Sequence, residues 1–185
     1  MKLMIASDIH GSAYYMEQLV ERYKAEKPDK VLLLGDLLYH GPRNDLPKGY
    51  APKEVIKMLN AMKKDLICVR GNCDTEVDQM VLEFPILADY AILYDGVHTI
   101  YATHGHVYNP KNPPQLNDGD ILLFGHTHIP VMYEFDGKYY INPGSVSIPK
   151  EGSEHSYIML ENGDFIWKTL EGKEYKHVTS QEFNI

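Results

Sequence analysis

Five apolar runs in this chain each end in a short polar signature. LMIAS leads to Asp8-Ile9-His10, and VLLL leads to Gly35-Asp36. LICVR runs into Gly71-Asn72-Cys73-Asp74, HTIYA reaches His104-Gly105-His106, and ILLF reaches Gly125-His126-Thr127-His128. Runs such as VLLL lack polar alternation and suit strands buried on both faces. Carboxylates and imidazoles do not fit inside such strands, but they fit at the ends. In open α/β sheets the carboxyl ends of the strands converge on one crevice. Motifs far apart in the chain can therefore meet as one polar cluster.

The remaining pattern is consistent with that arrangement. Strands are expected at 2–7, 30–34, 66–70, 91–94, 98–102, 120–124, 138–141, 156–160 and 164–170, each an apolar run bounded by turn residues. Helical spacing fits 12–26, where Ser12 can cap and Leu19, Val20 and Tyr23 share a face. A second helix fits 52–63, with Pro52 early and Val55, Ile56 and Leu59 on one side, and a shorter one fits 76–82. The first half alternates strand and helix, and the second half is mostly strand. The expected product is an α/β sandwich of two sheets with helices outside. HGPRNDLPKGYAP, residues 40–52, resists the scheme: three prolines and two glycines predict a rigid excursion after the second strand.

Composition narrows the function classes. At 185 residues the chain suits one domain, read as 1–185, with enough length for a real core. No apolar stretch approaches the ~20 residues of a membrane span, and the apolar opening breaks at Ser7, too short for a signal peptide. Cys68 and Cys73 form neither a CxxC pair nor a disulfide framework, which fits a reducing compartment, and the expected location is cytoplasmic. A formal charge of −8 argues against an extended nucleic-acid track. Phosphate would be attracted only at a local positive site, such as a bound metal pair.

The donor types define the chemistry. Asp8 and His10 lie two apart and can face one point in an extended chain, as can His126 and His128. Glycines 35, 71, 105 and 125 allow tight turns and close approach to an ion. Carboxylate, amide and imidazole together suit Mn, Fe, Zn, Co or Ni rather than a thiolate site or a calcium-type cage. Asp8, His10, Asp36, Asn72, His104, His126 and His128 make seven candidate ligands, too many for one ion. A pair sharing a carboxylate uses them all, and two metals ~3.5–4 Å apart are common equipment for phosphoester hydrolysis.

The ordered set DxH…GD…GN…H…GHxH resembles the calcineurin-like metallophosphoesterases. GNCD, the HGPRN loop and NPGSVSIPK resemble, within that family, the YfcE-type bacterial phosphodiesterases. The resemblance covers nearly the whole chain and implies a four-layer αββα sandwich of two mixed β-sheets flanked by helices. It implies one metal on Asp8, His10 and His128, the other on Asn72, His104 and His126, and Asp36 bridging them. Manganese is the ion expected by resemblance. The implied reaction is hydrolysis of a small phosphodiester by a hydroxide shared between two metals, with Asn72 and His104 beside the reacting group. Many relatives carry His after the GN, as the acid that protonates the leaving group, whereas this chain has Cys73. A thiol of ordinary pKa ~8.5 is a poor acid for that step, which leaves Asp74, His106 or water as candidates.

Other residues carry more than one reading. Arg43 can clamp a phosphate with its planar fork or simply be solvated. Arg70 can brace the GNCD loop, Cys73 can be a small packed residue, and Asn142–Ser145 reads as a tight loop supporting the site. Two rival functions stand beside the diesterase. One is a phosphomonoesterase; the other is a binding scaffold without catalysis, as in the retromer subunit of the same fold family. A homo-oligomer is compatible with the Tyr-rich second half.

Overall fold

The computed structural model describes residues 1–183. In chain order the first elements are β1 (Lys2–Ala6), α1 (Ala13–Glu26), β2 (Lys30–Leu33), α2 (Pro52–Met62), β3 (Leu66–Cys68) and α3 (Glu76–Gln79). Next come β4 (Tyr90–Tyr94), β5 (Thr99–Thr103), β6 (Ile121–Leu123), β7 (Val131–Phe135) and β8 (Lys138–Asn142). The last are β9 (Ser156–Glu161), β10 (Asp164–Thr169) and β11 (Glu174–Val178), then a single 3-10 turn at Ser180–Glu182.

The strands form two mixed sheets, in the orders β11-β10-β9-β1-β2-β3 and β4-β5-β6-β8-β7. β1, β2 and β3 run parallel in the first sheet, and β5, β6 and β8 run parallel in the second. The sheets face each other across a core that includes Leu3, Leu32, Ile100, Leu123, Ile141 and Trp167, all buried. On β2, Val31, Leu32 and Leu33 are all buried, as a run without polar alternation requires. Leu32 faces the second sheet while Val31 and Leu33 face the helices. The two-sheet sandwich read from the sequence is the fold observed.

The helices cover the six-stranded sheet. Ser12 caps α1, its hydroxyl accepting the Tyr15 N–H at 3.3 Å, and Met16 and Leu19 pack inward. Pro52 opens α2, which buries Val55, Leu59 and Met62. The outer face of the five-stranded sheet has no helix among the described residues. There Leu122, Phe124 and Tyr140 are covered by Tyr101, Leu116 and Val131. Its loop cover, residues 104–119, contains Pro110, Pro113 and Pro114, which lack the N–H that a helix interior needs.

Three elements differ from expectation. β7 and β11 were not read from the sequence, and each is one of the two edge strands of its sheet. Edge strands bury little: the inner strand β9 has five buried residues out of six, whereas β11 has one out of five. The helix expected over 76–82 ends at Gln79. The excursion 40–52 is tied to the start of α1. Ala13 N–H donates to the Gly49 carbonyl at 2.9 Å, Ala51 N–H to Gly11 at 2.8 Å, and the Ser12 hydroxyl to Lys48 at 2.6 Å.

Candidate metal centre

The polar signatures follow the carboxyl ends of β1, β2, β3, β5 and β6, and they meet between the two sheets. Asp8, His10, Asp36, His104 and His128 are all buried. The local route differs from the extended spacing expected. Asp8, His10, Asp36, His126 and His128 have φ values of 59°, 49°, 55°, 64° and 62°. Among the described residues, five of the nine non-glycine residues in this left-handed region are therefore candidate ligands. Such backbone is costly for L-residues and persists where the surroundings over-determine it.

Those surroundings are visible. The Asp8 carbonyl accepts the hydroxyls of Ser145 at 2.9 Å and Ser147 at 3.0 Å. The Asn142 amide donates to the Gly125 carbonyl at 2.8 Å and to the Thr127 hydroxyl at 3.0 Å. The Asn142–Ser145 loop thus braces two ligand turns, as its turn composition suggested. A Cβ at Gly71 would stand 2.2 Å from Asp36 Oδ1, and one at Gly125 would stand 2.0 Å from Ser7 Oγ. These glycines are required by the approach of neighbouring side chains, not of an ion directly.

Three imidazoles are fixed from behind. Nδ1 of His10, His104 and His128 lies 2.7, 2.7 and 2.8 Å from the carbonyl oxygens of Tyr39, Leu34 and Ile148. A carbonyl only accepts, so each Nδ1 carries a hydrogen and each neutral ring turns an Nε2 lone pair inward. His10 Nε2 and His128 Nε2 stand 3.3 Å apart. Asp8 Oδ1 is buried without a hydrogen-bond partner, 3.2 Å from His128 Nε2 and 3.6 Å from His10 Nε2. On the other side, His104 Nε2 lies 3.0 Å from Asn72 Oδ1 and 3.2 Å from His126 Nδ1. Asp36 Oδ2 lies between the two groups, 3.6 Å from His10 Nε2 and 3.5 Å from His104 Nε2. Acceptors facing acceptors at these distances repel, and a cation among them reverses the sign. The donor set suits a bound metal cation.

The titration directions report the same field. Burial opposes charge on Asp8, but the facing imidazoles of His10 and His128 outweigh it and hold its carboxyl well below the ordinary value. Burial also opposes charge on His10, yet Asp8 and Asp36 raise its proton affinity above the ordinary value. Burial and the neighbouring His104 lower both His126 and His106.

The leaving-group candidates separate clearly. Both oxygens of Asp74 are occupied by backbone N–H groups: Gly71 at 2.7 Å and Asp36 at 2.8 Å on Oδ2, and Leu37 at 2.9 Å on Oδ1. Asp74 therefore ties the GNCD loop to the Asp36 turn, which does not suit a proton donor to substrate. Arg70 braces the same loop, through the Asp74 carbonyl at 3.3 Å and Glu76 at 3.6 Å. Cys73 borders the cavity, but burial and the Asp36 carboxylate push its thiol far up. His106 lies exposed beside His104, with ring centroids 5.3 Å apart.

A cavity of about 390 Å³ opens over the cluster, with exposed Arg43 and Lys150 among its lining residues. Lys150 was not read from the sequence, where it is one lysine after a turn; only the fold brings it to the site. The carbonyls of Tyr39, Leu34 and Ile148 were equally invisible, since a main-chain acceptor has no residue signature.

Residues 1–164 match the calcineurin-like phosphoesterase superfamily domain. The chain is 49% identical over 162 residues to phosphodiesterase YfcE of Escherichia coli, covering 88% of each sequence. The solved structure of that phosphoesterase superposes with a TM-score of 0.93 at 46% identity, covering 97% of this chain and 99% of that one. Vacuolar protein sorting 29 from Cryptosporidium parvum shares the fold, with a TM-score of 0.61 at 19% identity over 96% and 97% of the two chains. This chain belongs to the calcineurin-like phosphoesterase superfamily.

Proposed function

We propose that the chain is a metal-dependent phosphoric diester hydrolase acting on small phosphodiesters, with residues 1–185 as one domain. The observation that carries this reading is the convergence of inward imidazole lone pairs on the unpartnered Asp8 Oδ1. Asp8, His10 and His128 would hold one divalent ion and Asn72, His104 and His126 the other, with Asp36 lying between the two groups. Such a pair supplies Lewis acidity to phosphoryl oxygens and acidifies water.

The chain's own residues do the rest. Carbonyl contacts behind three imidazoles fix ring tautomer and direction before any ligand arrives, which removes reorganisation from the reaction. Arg43 and Lys150 give an acidic protein a local positive mouth, suited to the non-bridging oxygens of a phosphate. Asn72 and His104 stand on the side of the cluster next to Cys73. Cys73, uncharged and reluctant to ionise, gives the departing oxygen little acid catalysis.

Manganese is the proposed ion, because the mixed oxygen and nitrogen donors accept it and cells select by availability as well as affinity. Zinc, iron, cobalt and nickel suit the same donors. A reducing cytoplasm is the proposed location, supported by two free buried cysteines. Among the described residues, no helix is long and apolar enough to cross a membrane. The relative's name favours a diester over a monoester, and the full ligand set favours an enzyme over a scaffold.

The test is hydrolysis of an activated aryl phosphodiester, and of its monoester, by metal-stripped protein with manganese added back. Asp36→Asn is run in parallel. Diester turnover that requires metal and is abolished in Asp36→Asn supports this reading. Preferred monoester turnover replaces it with a phosphomonoesterase. No turnover with any divalent ion in a folded protein replaces it with the scaffold.

A further inference from the structure

Beside the metal centre lies a second cavity of about 590 Å³ that the proposed chemistry does not use. His126 and Thr127 line both cavities, so the two meet at one ridge. Their walls differ in kind. The first is polar, built from metal-ligand candidates, Arg43, Asn44 and Lys150. The second has Phe124, Ile129, Val131 and Tyr133 as walls, with Asn109 and Lys111 among its polar groups.

The apolar wall is rigid. Val131 and Tyr133 lie two apart on the edge strand β7 and so present to one face. The Tyr133 ring stacks on the buried Tyr140, with centroids 5.2 Å apart and an interplanar angle of 18°. Phe124 is 4% exposed and packs with Leu122 and Tyr140. A pre-formed slot with fixed aromatic walls and a few polar groups is the usual make-up of a specific small-molecule site, and its volume falls in the usual range.

We propose that this cavity seats one ester arm of the diester substrate, and that the arm is a nucleoside. The inference rests on the phosphodiesterase reading above. A diester carries two arms on one phosphorus, and a phosphate held over the metal cluster can project one arm across Thr127 into the second cavity. A nucleobase offers a flat face to the exposed Tyr133 and a hydrogen-bonding edge to the exposed Lys111. An alkyl arm matches only the walls, and a glycerol arm matches only the polar groups.

The test is calorimetric titration of the manganese-loaded protein with thymidine 5′-monophosphate and with methyl phosphate. Base stacking of ordinary strength makes the nucleotide bind at least about fivefold tighter. Tyr133→Ala and Val131→Arg should each weaken the nucleotide toward the methyl phosphate value and leave methyl phosphate unchanged. Equal affinities in the parent chain, or nucleotide affinity unmoved by both variants, would overturn the proposal. Binding is read without turnover, so failure here is distinct from failure to hydrolyse a diester.

Discussion

His10 Nε2 and His128 Nε2 face each other at 3.3 Å while the Nδ1 of each is held on a main-chain carbonyl. Two lone pairs at that distance, next to the unpartnered Asp8 Oδ1, repel each other, and a cation or proton between them relieves that repulsion. Metal binding should therefore stabilise the fold. An ion at a hundredfold excess over its Kd adds about 2.7 kcal/mol, or about 5–10 °C in Tm for a chain of this size. Chelation followed by differential scanning calorimetry should show a loss of that order, reversed by manganese. An unchanged Tm would mean that the cluster is held together without metal.

Cys73 stands where an acid is expected, and burial and Asp36 keep its thiol protonated well above neutral pH. Rates should fall steeply as the leaving-group pKa of aryl and alkyl diesters rises. Cys73→His should flatten that dependence, chiefly by speeding poor leaving groups. A flat dependence in the parent chain would show that another group delivers the proton.

Asp74 should matter through position. Its three backbone N–H contacts hold the GNCD loop to the Asp36 turn. Hydrogen bonds to a charged group are each worth about 1.5–3 kcal/mol, so Asp74→Ala should cost at least about 3 kcal/mol in urea unfolding. The milder Asp74→Asn should leave the leaving-group dependence unchanged. A changed slope in that variant would instead make Asp74 the acid.

Glu26 closes α1 onto the six-stranded sheet. Its Oε1 accepts from Lys168 at 2.7 Å and from Tyr157 at 3.1 Å. Burial opposes its charge, but Lys168 and Tyr157 lower its pKa below the ordinary 4.5. A carboxylate with a depressed folded-state pKa stabilises above its unfolded value, and that contribution is lost as pH falls through the folded value. Glu26→Gln should therefore cost about 1 kcal/mol at pH 7, and the difference should vanish below the depressed folded-state pKa. A difference that persists in strong acid would assign the effect to packing.

How much was legible follows from where the information lies. Asp8, Asp36, Asn72, His104, His126 and His128 were legible because each follows an apolar run, and such a run dictates both a buried strand and a polar end. Leu19, Val20, Val55 and Leu59 marked α1 and α2 by spacing. β7 and β11 were hidden because these two edge strands show little buried alternation, as Glu134 and Phe135 show by their exposure. The positive φ at Asp8 and His126 left no trace, because glycine alone advertises that conformation. Tyr139, Tyr140 and Tyr157 proved to be core residues, although their composition equally suggested an interface.

The most direct measurement is the metal content of the folded chain, by native mass spectrometry after stripping and reloading with manganese. The account predicts two ions per chain, with at least one lost in Asp36→Asn, whose carboxylate is the proposed shared donor. A chain that takes no more than one ion, or keeps two without that carboxylate, would contradict it.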